Sequence, residues 1–226
     1  MIAAIPIGLL IGGFVTMLVD RIPDATGLSW RSRCPFCEHP LGVGDTVPVL
    51  SWFRLRGSCR HCGDRITPGY PVVELVTAVG WVVVAARFGW GWEMLPPLVL
   101  VTALVALSAI DYYTYRLPDR LVFPSIGISA VAMVIAALGL DLTTALGRAG
   151  IGMALYFTLL LLAHLISPRG MGFGDVKLAL LLGMHLGWAA GTVYVDWVAV
   201  VSLVIWALLL GALIGVVLGV VLGVAR

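Results

Sequence analysis

Six side chains stand out as able to do chemistry, four cysteines and two aspartates. RCPFCEHP and SCRHCG place Cys34, Cys37, Cys59 and Cys62 in two CxxC turns separated by 21 residues. A CxxC turn presents two thiolates on one side of a tight loop. Two such turns make a tetrahedral four-sulfur site that leaves a zinc ion no open position, so the metal would be structural. Disulfides are the alternative use of the same cysteines, disfavoured wherever the compartment keeps thiols reduced. His39 and His61 lie beside the two turns. Four thiolates already fill the shell, so these imidazoles are expected at the surface or behind the ligands.

The aspartates sit at the ends of apolar runs. Asp111 closes one in SAIDYYTYRLPDRLVFP, and Asp175 opens another in RGMGFGDVKLALLLG. A carboxylate at membrane depth or at its boundary is costly and marks a functional position by default. Two carboxylates at one depth can share a proton and a water: repulsion raises one pKa, leaving a base toward water and an acid toward a carbonyl. That arrangement hydrolyses a peptide bond without a covalent intermediate. Gly170, Gly172 and Gly174 around the second aspartate would allow positive φ and close approach of an extended substrate strand. Each aspartate also has a plainer reading, Asp175 as a helix N-cap and Asp111 as the partner of Arg116 or Arg120.

What must position these groups is set by composition. The 226 residues are 61% hydrophobic and only 12% charged, against about a quarter charged in ordinary soluble domains, which excludes a water-soluble globular enzyme. Seven apolar runs approach the ~20 residues that cross a bilayer: Ile2 to Val19, Pro71 to Ala86, Met94 to Ile110, Leu121 to Leu140, Leu146 to Ile166, Val176 to Ala190 and Val198 to Val224. The glycine-rich end of the last run could hide a break. The first has neither a basic n-region nor a small-residue cleavage site before Asp20 and Arg21, and reads as a retained span. Lys and Arg collect in cytoplasmic loops. With the N-terminus outside, 12 of the 14 basic residues fall inside, among them Arg21, Arg31, Arg33, Arg169, Lys177 and Arg226, and only Arg87 and Arg148 outside. The expected fold is therefore an all-α polytopic membrane protein of about seven transmembrane helices (six to eight), with a small cytoplasmic zinc-binding insertion between the first two. The expected division is 1–19 for the first helix, 20–70 for the insertion and 71–226 for the remaining core. Net charge is only +2, and the basic loop reads as topology, with no nucleic-acid partner.

In this order the segments resemble the type IV prepilin peptidases, among the GxGD aspartic peptidases of membranes. IGGFVTMLVDRIP is similar to the family's N-terminal segment. CPFCEHPL, DTVPVLSWFRLRGSCRHC and ITPGYPVVELVT follow its cytoplasmic zinc domain and next helix, and RLPDRLVFP and GMGFGDVKLALLLG its two catalytic segments. The resemblance implies catalysis by Asp111 and Asp175 and zinc at Cys34, Cys37, Cys59 and Cys62. It implies substrates that are type IV prepilin or pseudopilin precursors with a short basic leader, cut at the cytoplasmic face of the bacterial inner membrane just before an apolar helix. Glu74 matches an acidic position of the family and is a candidate for positioning substrate, as are Gly172 and Gly174. Lys177 is a candidate to tune Asp175 or to contact lipid phosphate. Many relatives also methylate the new N-terminus with S-adenosylmethionine. Here Gly13 and Thr16 stand where many members carry serine and asparagine, a departure in the first segment that bears on that second activity.

Rival readings differ in class. A transporter should show internal repeats with paired broken helices, and none is visible. A zinc-bearing membrane assembly factor would need the cysteines and not the aspartates. Another GxGD intramembrane protease would keep both aspartates and differ in substrate.

Overall fold

A computed structural model describes residues 2–22, 34, 36–168, 171–193 and 197–224. Arg31, Arg33, Arg169, Gly170 and Arg226 lie outside the described residues. The described chain is helical: α1 (Ala4–Arg21), α2 (Leu50–Arg54), α3 (Gly69–Phe88), α4 (Leu95–Thr114), α5 (Asp119–Leu140), α6 (Thr143–Ile166), α7 (Phe173–Val193) and α8 (Trp197–Val224). All but α2 are long, and they fall on the seven apolar runs. Among the described residues, α1, Trp92–Thr114 and helices α3, α5 and α6 are long and apolar enough to cross a membrane, and Val198–Gly211 of α8 forms a shorter apolar stretch. The glycines of α8 do not break it; it runs as one helix of 28 residues. An unpaired backbone group in hydrocarbon costs several kcal/mol, so continuous helices are the expected solution.

Helix ends are built from turn chemistry. Gly89 stops α3 at φ +70°, its N–H donating to the Ala85 carbonyl at 3.0 Å. Tyr115 stops α4 in the left-handed region at φ +53°, donating to the Asp111 carbonyl at 2.8 Å. The carbonyl of Pro118 then accepts the N–H groups of Leu121 and Val122 at 3.0 and 3.1 Å and starts α5. Pro124, inside α5, removes one intrahelical donor, and the Ser125 hydroxyl caps the neighbouring Leu121 carbonyl at 2.7 Å.

The chain forms two compact units, Met1–Ser129 and Ala130–Arg226, the division falling within α5. In the first, α1 and α3 pack antiparallel through small residues: a Cβ on Gly8 would stand 2.8 Å from the Ala78 Cα, and one on Gly12 2.7 Å from the Glu74 Cα. Two glycines four residues apart thus meet two positions four apart, the small-xxx-small contact that replaces the hydrophobic effect between helices in lipid. Helix α4 lies on α3 through Val101, which packs against Gly80, and through the Trp81 indole N–H, which donates to the Thr102 hydroxyl at 3.1 Å. In the second unit α6 and α7 are as close. Gly152 and Gly183 each sit against the other's carbonyl, and Gly187 against that of Arg148. Tyr156, Ala179 and Val204 join α6, α7 and α8 in one buried cluster.

Candidate active site and metal centre

The four cysteines converge. Their Sγ atoms all lie within 4.8 Å of one another, with Cys34 and Cys62 3.8 Å apart. A zinc ion with bonds of ~2.3 Å to four thiolates has sulfur–sulfur edges of about 3.8 Å, so the donor set and its size fit that ion. No disulfide links them. The two turns share one backbone plan. In the first, the Glu38 N–H donates to the Cys34 carbonyl at 2.9 Å and the Cys34 N–H to the His39 carbonyl at 3.0 Å. In the second, Gly63 and Cys59 repeat the pattern with Cys59 and Asp64 at 3.0 and 2.9 Å. Each plan requires a left-handed residue just after the second cysteine, Glu38 at φ +55° and Gly63 at φ +76°. The backbone N–H groups of Cys62 and His61 aim at Cys59 and pull its thiol down to about 7, whereas the thiols of Cys37 and Cys62 are pushed up by burial and by the thiols beside them. His39 and His61 stack on each other outside the sulfur cluster, ring centroids 3.6 Å apart. Around the second turn, Ser58 and Arg65 form an antiparallel bridge. The Trp52 indole N–H donates to the Ile66 carbonyl at 3.1 Å, and Arg60 pairs with Asp45 at 2.6 Å.

Glu74 faces this insertion. Its Oε2 accepts the Val49 N–H at 2.6 Å, a short hydrogen bond to a carboxyl group. Val49 needs the help. It stands at φ +62°, ψ −52°, and the Leu50 N–H donates to the Pro48 carbonyl at 2.6 Å. That is a γ-turn of the strained hand with a β-branched residue at its centre. The turn lies over α1, where a Cβ on Gly13 would meet the Pro48 Cγ at 3.2 Å and the Glu74 Oε1 at 4.0 Å. Glu74, read from the sequence as a substrate-positioning candidate, therefore has a backbone partner within its own chain.

The aspartates are exposed at helix ends, Asp111 in the last turn of α4 and Asp175 as the third residue of α7. Asp175 is not an N-cap, because Phe173 and Gly174 are already helical. A carboxylate in this first turn is favoured by the helix dipole. Its N–H donates to the Gly172 carbonyl at 3.1 Å, and a Cβ on Gly172 would lie 3.6 Å from its Oδ2. Lys177 turns to the Phe173 ring, its Nζ 5.2 Å from the centroid. Asp111 belongs to the first compact unit, and Asp175, Gly172, Gly174 and Lys177 to the second.

Two features escaped the sequence reading. The His164 Nδ1 lies 2.9 Å from the Met171 carbonyl, and its ring is 5.5 Å from that of Phe173, tying the GFGD segment back to α6. The Tyr70 hydroxyl donates to the Asp20 Oδ2 at 2.9 Å. A tyrosine 50 residues along the chain was not foreseeable from spacing.

Comparison with known proteins gives two family matches, the bacterial peptidase A24 N-terminal domain over residues 7–88 and the type IV leader peptidase family over residues 98–223. The chain is similar to proteins named prepilin leader peptidase/N-methyltransferase. It is 36% identical to that of Myxococcus xanthus over 187 residues, which cover 81% of this chain and 55% of the relative. It is 32% identical to that of Stutzerimonas stutzeri over 214 residues (83% of this chain, 73% of the relative). Against that of Aeromonas hydrophila the identity is 35% over 212 residues (80% and 71%). The chain thus spans about half the length of the first relative and about seven-tenths of the other two. No solved structure matches.

Proposed function

The chain belongs to the type IV leader peptidase family, and we propose that it is a membrane aspartic endopeptidase that removes the short basic leader of type IV prepilin-like precursors. The apolar helices and the family together point to a multi-pass protein of the bacterial inner membrane. The observation that carries the proposal is the pair of aspartates, each at the end of a long apolar helix, within the stretch matched to the family. The seven-span reading with the N-terminus outside puts 12 of the 14 basic residues inside together with both aspartates, which supports a cytoplasmic orientation for the active site and the zinc insertion. Apolar side chains such as Val72, Val76, Val79 and Val83 are half exposed along one face of α3, a face suited to lipid. The basic residues serve topology, and no nucleic-acid partner is proposed.

In the proposed reaction, one of Asp111 and Asp175 is ionised and takes a proton from water, whose oxygen attacks the carbonyl carbon of the scissile bond. The other gives its proton to the carbonyl oxygen. Collapse of the diol breaks the C–N bond. The nitrogen leaves with the proton held by the first carboxyl group, and the second recovers its own from a diol hydroxyl. Gly172 and Gly174 would let an extended substrate strand approach the backbone beside Asp175. Cys34, Cys37, Cys59 and Cys62 would hold zinc, which supplies folding energy to the insertion and no catalytic step.

The second activity in the relatives' names is included in the proposal, methylation of the new N-terminus with S-adenosylmethionine as donor. Gly12 and Gly13 are filled by Glu74 and Pro48 and make no cradle for that donor.

Co-expression with a prepilin, read by gel and by mass spectrometry of the new N-terminus, tests both steps. The precursor should be cut by the native chain and left intact by Asp111→Asn and Asp175→Asn. Cleavage persisting in both variants overturns the dyad. An assembly factor would tolerate Asp175→Ala, and a mature pilin lacking the methyl increment removes the second step alone.

A further inference from the structure

Gly152, Tyr156, Leu160 and His164 stand at intervals of four residues along α6, a row that a helix keeps close to one face. Their contacts say which face. Gly152 sits against the Gly183 carbonyl, Tyr156 joins Ala179 in the buried cluster, and Leu160 packs against that cluster, so the row faces α7. His164 closes the row in the last turn of α6 and meets the approach to α7. Its Nδ1 lies 2.9 Å from the Met171 carbonyl, and its ring centroid 5.5 Å from that of Phe173. A carbonyl oxygen only accepts, so the proton of this bond is on Nδ1. Lys177, one turn along α7, brings its Nζ to 5.2 Å from the centroid of the same Phe173 ring.

The backbone held in this way has little constraint of its own. Gly172 and Gly174 flank Phe173, and glycine loses more conformational freedom on ordering than any other residue. The Asp175 N–H donates to the Gly172 carbonyl at 3.1 Å, a bond inside the turn that moves with it. The ties from His164 come from outside, from a helix clamped to α7 through Gly152, Gly183 and Gly187. A carboxylate that must meet both a water and a carbonyl tolerates little displacement, since an error of about 1 Å can cost about 100-fold in rate. Resting on the proposed function, we infer that His164 is a positioning residue: by donating from Nδ1 to Met171 and backing the Phe173 ring, it orders the GFGD turn before substrate arrives and so fixes the Asp175 carboxylate. In this assignment the imidazole touches no reacting atom, and its working part is one N–H at the Nδ1 position.

Three variants of the purified full chain in detergent separate that atom from the rest of the ring. An Asn amide places an N–H where that of Nδ1 lies, a Gln amide places one near Nε2, and Leu has none. With a prepilin as substrate, His164→Leu and His164→Gln should lower kcat about tenfold and leave KM within about twofold. His164→Asn should keep kcat within about threefold of the native chain and keep its pH profile. Hydrogen exchange at the amides of 172–176 should quicken about fivefold in the Leu and Gln variants, the loss of one hydrogen bond, and stay near native in the Asn variant. Equal losses in all three variants, a change confined to KM, or native kcat in His164→Leu overturns the inference and leaves the peptidase reading standing. Loss of kcat in His164→Asn together with one limb of the pH profile would make the imidazole a proton carrier and overturns it as well. The exchange measurement needs no cleavage: an unchanged rate in His164→Leu refutes the ordering of the turn whether or not a precursor is cut, whereas a precursor left whole by the native chain counts against the peptidase reading.

Discussion

The contact between Glu74 and Val49 balances two opposing free energies, and that balance can be tipped. A γ-turn of this hand around a β-branched residue costs about 1–3 kcal/mol and persists only where its surroundings over-determine it. A carboxylate accepting a backbone N–H contributes about 1.5–3 kcal/mol, and the 2.6 Å bond to Val49 is of that kind. Glu74→Gln keeps an oxygen of the same reach but a neutral one, worth about 0.5–1.5 kcal/mol. The net loss of about 1 kcal/mol should raise the opening equilibrium of the turn roughly fivefold. Glu74→Ala strands the amide, and the loss of about 2–3 kcal/mol is a rise of roughly 30- to 150-fold. Hydrogen exchange at Val49 and the α2 amides, measured in detergent with metal present, reads this directly. Val49→Gly supplies the internal check, since glycine adopts φ +62° without strain. If strain and anchor oppose each other, Val49→Gly should lower the opening equilibrium by itself and offset most of the Glu74→Gln loss in the double variant. Unchanged exchange in Glu74→Gln, or no gain from Val49→Gly, would refute the balance.

Three further outcomes follow from particular residues. Gly63 faces open space, so Gly63→Ala should cost only the left-handed backbone, about 1–2 kcal/mol, seen as a five- to thirtyfold weaker zinc affinity in a chelator competition. Glu38→Gly, at the equivalent point of the first turn, should not weaken it. Cys34→Ser should abolish stoichiometric metal in the purified protein while the membrane helices remain inserted, as read by metal analysis and circular dichroism. In the second unit, Gly152 is sealed by the backbone of Gly183 and Gly187 whereas Gly150 faces nothing within 4 Å. Gly152→Ala should therefore lower the thermal midpoint by several degrees or prevent recovery of the protein, and Gly150→Ala, with the same change in chemistry two residues away, should leave it within a degree or two.

What was legible in the sequence depended on how far apart the cooperating residues lie. The thiol cluster was readable because CxxC forces each pair together locally, and only one closure of 21 intervening residues had to be supplied by the fold. The long helices were readable because a bilayer admits few other ways to satisfy a backbone, and composition alone carries that signal. The γ-turn at Val49 was not readable. Pro48 and Val49 carry none of the glycine or asparagine that usually announces positive φ, and what holds the turn is a carboxylate 25 residues later. Asp20 and Tyr70, 50 residues apart, met only because Gly8 and Gly12 let α1 lie against α3.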